Sequence, residues 1–119
     1  MVGFFKQPKR HLKKLLKDGE YDEAVAFGKS LESKYSDDPD FMFIMGSVFF
    51  IVDDAKKALP YFEKAFQLDN YDVETLTLKT NVHLALEQKD EAIDCCRRIL
   101  KLQPENSEAR KLLDDLELL

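Results

Sequence analysis

The stretch KDEAIDCC at residues 89–96 shares a tripeptide with YDEAVAFG at residues 21–28. Asp22-Glu23-Ala24 and Asp90-Glu91-Ala92 lie 68 residues apart, twice 34. Midway, Ala58 stands in DDAKKALPYFEKAF, so alanine recurs at 24, 58 and 92 without a gap. Other positions keep this phase: Asp38, Asp72 and Asn106, then Leu31, Ala65 and Ile99. A self-similar period of this length marks a stacked helical array, in which each unit buries its apolar face only against its neighbours.

Within each unit the apolar spacing is helical, as in Leu12, Leu15 and Leu16 or Met42, Met45, Phe49 and Val52. Asp38, Asp72 and Asn106 each precede a helical run, where a side-chain oxygen accepts an orphan backbone N–H. Pro39 suits a first helical position, since its missing N–H costs nothing there. Polar breaks at Asp18-Gly19-Glu20, Asp53-Asp54 and Glu87-Gln88 split each unit in two. The pattern predicts seven helices, at about 7–18, 21–35, 39–52, 55–69, 73–86, 89–103 and 107–118. Pro60 falls inside the fourth and predicts a kink. The small residue at 24, 58 and 92 lets the second helix of each unit approach its neighbours closely.

The 119 residues suit one domain, 1–119, and 34% of them are charged. No apolar run is long enough to span a bilayer, and the first residues lack a signal-peptide core. Two adjacent cysteines do not make a disulfide framework, so the expected setting is reducing and cytoplasmic. The net charge of −5 is unevenly spread: residues 1–17 carry +6 and residues 18–119 carry −11.

The period, the Gly46 and Phe49 pair, Ala58, Phe62 and Ala65, and Pro104 together resemble the tetratricopeptide-repeat family. The resemblance covers residues 5–106. It implies an all-α solenoid with a right-handed curve, built from repeats at about 5–38, 39–72 and 73–106, with a capping helix at 107–119. The third repeat departs at Lys79, Thr80, His83 and Cys96, and the first has Gly28 where the second has Phe62. Family geometry implies that the first helix of each repeat lines the concave side.

On that basis the resemblance implies a non-catalytic module, a scaffold or adaptor holding a protein, peptide or helix in its groove. The groove residues are Phe43, Ile44, Ser47, Phe50, Ile51, Leu78 and Asn81. FMFIMGSVFFIV is apolar almost all round, so it is either covered on every side or offers an apolar floor. Lys6, Lys9, Arg10, Lys13 and Lys17 would add a basic wall suited to an acidic, apolar segment, or form an ordinary solvated face. The alternative is structural: homo-oligomeric self-association through that basic helix and the apolar surface. Val2, Phe4 and Phe5 could cap the first repeat, enter a groove or touch an anionic membrane, the lesser option.

A carboxylate clamp for chaperone tails is not expected: the family positions hold Lys9, Lys13, Ile44, Glu74 and Leu78, and only one fits. No arginine-rich or aromatic-interleaved stripe indicates nucleic acid. No phosphate loop, nucleophile elbow or metal-ligand spacing supports an enzyme, a cofactor or a metal site. His11 and His83 are expected to fill packing positions. Cys96 is expected in the core and Cys95 partly exposed.

Overall fold

The computed structural model describes residues 7–69 and 72–118. The docking expectation for Val2, Phe4 and Phe5, and the expected role of Lys6, lie outside them. The described residues form α1 (Pro8–Lys17), α2 (Tyr21–Leu31), α3 (Pro39–Ile51), α4 (Ala55–Leu68), α5 (Val73–Ala85), α6 (Lys89–Leu102) and α7 (Ser107–Glu117), with no strand among them. α1 packs on α2, α3 on α4 and α5 on α6, while α2, α4 and α6 each also meet the next helix along the chain. α3 touches both α1 and α5, so the first helices of successive hairpins lie side by side. The array measures 53 × 25 × 22 Å.

The caps explain the starts. Asp38 accepts from the Phe41 N–H, Asp72 from the Glu74 and Thr75 N–H groups, and Asn106 from the Ala109 N–H. Asp54 does the same for α4 through the Lys57 N–H. Pro60 leaves α4 continuous from Ala55 to Leu68. α2 ends earlier than the pattern predicts, at Leu31, and tighter turns carry the chain to Asp38. The Lys34 and Tyr35 N–H groups both turn back to the Leu31 carbonyl, and the Asp38 N–H to that of Tyr35.

The turns inside the hairpins repeat in detail. Gly19, Asp53 and Glu87, each 34 residues from the next, have φ of 78°, 64° and 59°. After each, an N–H reaches back to the carbonyl five residues earlier: Glu20 to Leu15, Asp54 to Phe49 and Gln88 to His83, at 2.9, 2.8 and 2.8 Å. This is a left-handed helix stop that satisfies otherwise orphan carbonyls. Glycine occupies the left-handed position only once, so Asp53 and Glu87 hold a conformation that disfavours a Cβ.

Ala24, Ala58 and Ala92 are all fully buried. A second periodic feature lies beside them. The Met45 side chain of α3 lies closest over Gly28, with the Leu12 Cδ1 3.6 Å from where a Gly28 Cβ would be. In the next unit the sizes are reversed, and the Phe62 ring lies against Gly46, 2.7 Å from a would-be Cβ. In the third unit Thr80 and Cys96, both buried, border one small cavity. Positions 12, 46 and 80 thus recur in phase with 28, 62 and 96, and the middle pair is in close contact. The Thr80 hydroxyl is satisfied by the Leu76 carbonyl at 2.8 Å.

Two predictions follow from this packing. Gly46→Ala drives a methyl into the Phe62 ring and should lower the unfolding free energy by about 1–3 kcal/mol. Phe62→Leu in the same chain should recover part of it, because the two sites are coupled, as a double-mutant cycle in urea would show. At the turns, Glu87→Gly should raise stability by about 1 kcal/mol and Gly19→Ala lower it by a similar amount, read from the same unfolding curves.

Candidate functional site

α3 is apolar on most of its circumference because α1, α2, α4 and α5 surround it. Phe41, Met42, Ile44, Met45, Val48 and Phe49 are buried, whereas Phe43, Ser47 and Phe50 are half-buried and Ile51 is 49% exposed. A groove of about 670 Å³ runs over this strip. Phe43, Ile44, Ser47 and Ile51 form its floor, Lys13, Leu16 and Lys17 of α1 one side, and Asp69, Asp72 and Glu74 at the α4–α5 junction the other. Pro39 and Asp40 close one end at the start of α3. The Phe43 ring stands edge-on to Phe62, 5.9 Å between centroids, so the floor is anchored in the core. The Ser47 hydroxyl donates to the Phe43 carbonyl at 2.9 Å, which leaves its oxygen able to accept another bond.

Four of the seven groove residues read from the sequence therefore line one groove. Ile44 does so while only 3% exposed, which makes it as much a core residue as a surface one. Phe50 and Leu78 pack partly buried against the main core instead. Asn81 lines a separate cavity of about 160 Å³ with Thr77, Thr80 and Cys96.

The basic set also divides. Lys9 donates to Asp38 at 2.8 Å and lies 3.4 Å from Asp40, and Lys13 lies 3.7 Å from Asp40. Arg10 reaches the Gln7 side chain. Lys9 and Arg10 border a hollow with Tyr35 and not the groove. Lys17 lines the groove and has no ion-pair partner among the described residues. Of the acidic wall, the sequence reading had Glu74 at a family groove position but not Asp69 and Asp72. Asp72 is legible as a cap, and that role conceals its second position at the groove side. Asp69 carries no sequence signal of its own.

The Lys9–Asp38 pair joins the first helix to the start of the third. The hydrogen bond to Asp38 raises the Lys9 ammonium above its ordinary value. Burial works to raise the Asp38 carboxyl, but the bonds from Lys9 and from the Phe41 N–H outweigh it and hold the group below its ordinary value. Burial pushes the Cys95 and Cys96 thiols up, and Cys95, expected to be partly exposed, is only 5% exposed because it packs with Leu76, Ile99 and Ala109. His83 is buried with its Nδ1 2.7 Å from the Gln88 side-chain oxygen, and the His11 ring meets Phe27 edge-on at 4.9 Å. Among the described residues no group of His, Cys, Asp and Glu could hold a metal ion, and no helix is long and apolar enough to cross a membrane.

Stacked helical hairpins with a groove along their first helices define a helical-repeat protein. A family model described as tetratricopeptide repeat matches residues 51–116, more than half of the chain, and the chain belongs to that family. Comparison with curated proteins returned no match. Among solved structures, the first TPR of Spaghetti (RPAP3), bound to the HSP90 peptide SRMEEVD, is similar at 23% identity, over 93% of this chain and 88% of that one, with a TM-score of 0.83. The Yersinia enterocolitica type III secretion chaperone SycD, in complex with a peptide of the translocator YopD, is 14% identical over 98% and 94% of the two chains, with a TM-score of 0.85. The Arabidopsis OM64 TPR domain is 19% identical over 92% and 90%, with a TM-score of 0.81. At these identities the likeness concerns the fold.

The Asp38 pair carries its own prediction. A carboxyl depressed in the folded state stabilises above its ordinary value of 3.8 and loses that contribution as pH falls through the lower folded value. Asp38→Asn should therefore lower stability at neutral pH by about 1 kcal/mol and narrow the gap to wild type on acidification below about pH 4. Thermal melts across pH 2–7 measure both, about 2 being the floor set by carboxylate titration.

Proposed function

We propose that this protein is a non-catalytic interaction module, a scaffold or adaptor that holds a peptide or helix of a protein partner in the groove over α3. The observation that carries the reading is the apolar strip of half-buried Phe43 and exposed Ile51, left open among the described residues at the foot of a groove walled by α1 and α5. The repeats at about 5–38, 39–72 and 73–106, closed by 107–119, act as one rigid frame for it. Family membership supports the class, and two of the similar structures hold peptides: an HSP90 peptide for Spaghetti (RPAP3) and a translocator peptide for SycD. A reducing cytoplasmic setting suits the two free cysteines.

The groove argues against a chaperone-tail carboxylate clamp. Two of the family positions, Lys9 and Lys13, are already engaged by Asp38 and Asp40. A third is the apolar, buried Ile44, and Glu74 would repel a carboxylate. The same internal pairing weakens self-association through the basic helix, since those lysines spend their charge within the chain.

Ile44 is too buried to test the groove without unfolding the array, so the probes are Ile51 and Ser47. Ile51→Asn removes apolar contact and Ser47→Trp fills the groove. Each should keep the wild-type helical spectrum and melting temperature within a few degrees. A pull-down from the source cell should retain partners on the wild type that both variants lose. Identical sets on all three chains would reject the groove.

A further inference from the structure

The charge of the groove differs from what the N-terminal lysines suggest. Of its two basic side chains, Lys13 is paired with Asp40 at 3.7 Å. Lys17 stands on the α1 side, facing Asp69, Asp72 and Glu74 across the floor. Once the Lys13–Asp40 pair cancels, Lys17 faces the carboxylates of Asp72 and Glu74. Asp72 is held by the Glu74 N–H, the Thr75 N–H and the Thr75 hydroxyl, which fixes its position without neutralising its charge. Glu74 is exposed and has no ion-pair partner among the described residues.

An acidic α5 rim beside a dry apolar floor raises local cation concentration and repels anions. The floor supplies contact area of either sign, so the rim decides which partner is accepted.

We propose that the groove selects a basic, apolar peptide: aliphatic or aromatic side chains seated on Phe43 and Ile51, with a Lys or Arg on the side of Glu74 and Asp72. Lys17 on the opposite rim gives the complex an orientation, since an acidic residue of the same peptide is tolerated only there. This rests on the groove-binding reading above and adds the partner's chemistry to it. It reverses the sign of the partner that the basic N-terminal helix suggests, because that helix spends Lys9 and Lys13 on Asp38 and Asp40.

The test is selection of a phage-displayed random peptide library on the full chain, with Ser47→Trp as the blocked groove and Glu74→Lys as the reversed rim. Circular dichroism confirms that both variants fold. Enriched peptides that Ser47→Trp no longer binds should carry Lys or Arg next to apolar residues. Synthetic copies should bind Glu74→Lys about tenfold more weakly than wild type at low salt, and the gap should shrink as salt rises. Ser47-dependent peptides that are acidic or neutral, or that ignore Glu74→Lys, overturn this proposal and leave the binding module standing. Absence of any Ser47-dependent enrichment overturns the module reading and the proposal with it. A concentration-dependent doubling of mass that Ser47→Trp abolishes would make a second copy the occupant, and that also overturns the proposal.

Discussion

The close approach of paired helices is the constraint on which the structure depends. At the middle hairpin Gly46 admits the Phe62 ring, 2.7 Å from a would-be Cβ, and at Gly28 the space is taken chiefly by Met45 of the next hairpin, with Leu12 beside it. Beside them Ala24, Ala58 and Ala92 are wholly buried. Interiors are packed like crystals, so the space left by a glycine is filled by the bulk of a neighbouring side chain. The middle pair does more than fill space. Phe62, fully buried, supports Phe43 edge-on, and Phe43 is the inner part of the groove floor. Packing at the hairpin crossing therefore sets the floor on which a partner would rest.

Electrostatics follow the same local logic. Helix starts recruit carboxylates, and the starts of α3 and α5 both open onto the groove. Asp38 serves α3 and draws Lys9 across from α1, while Asp40 draws Lys9 and Lys13. Lys9 and Lys13 of the basic first helix thereby brace α1 to the start of α3. At α5 no cation among the described residues answers Asp72 and Glu74, and the acidic character survives at the rim. Groove charge is thus a by-product of capping in one place and a resource for recognition in the next.

The helices were legible because the periodic signal and the caps agree. Seven were read and seven are described, with the largest difference at the end of α2, where turns on the Leu31 and Tyr35 carbonyls replace the last expected residues. The groove was legible only in part. Phe43, Ile44, Ser47 and Ile51 came together, but Phe50 and Leu78 turned toward the core and Asn81 toward another cavity. A helix that is apolar all round offers no periodic cue for which of its residues the neighbours will cover. Cys95 was misread for a related reason: a position next to a core residue is covered when α5 and α7 close over α6 from both sides.

By itself, the sequence determined what depends on neighbours along the chain: the 34-residue period, the helix starts at Asp38, Asp54, Asp72 and Asn106, and the turns between. These are local, since a cap or a turn acts within a few residues. Tertiary structure alone decided how far α3 is covered, which lysines are free and which sign the groove carries. Burial and ion pairing here join residues far apart in the chain, 29 positions for Lys9 and Asp38, and no spacing rule on a single helix specifies which charges will meet.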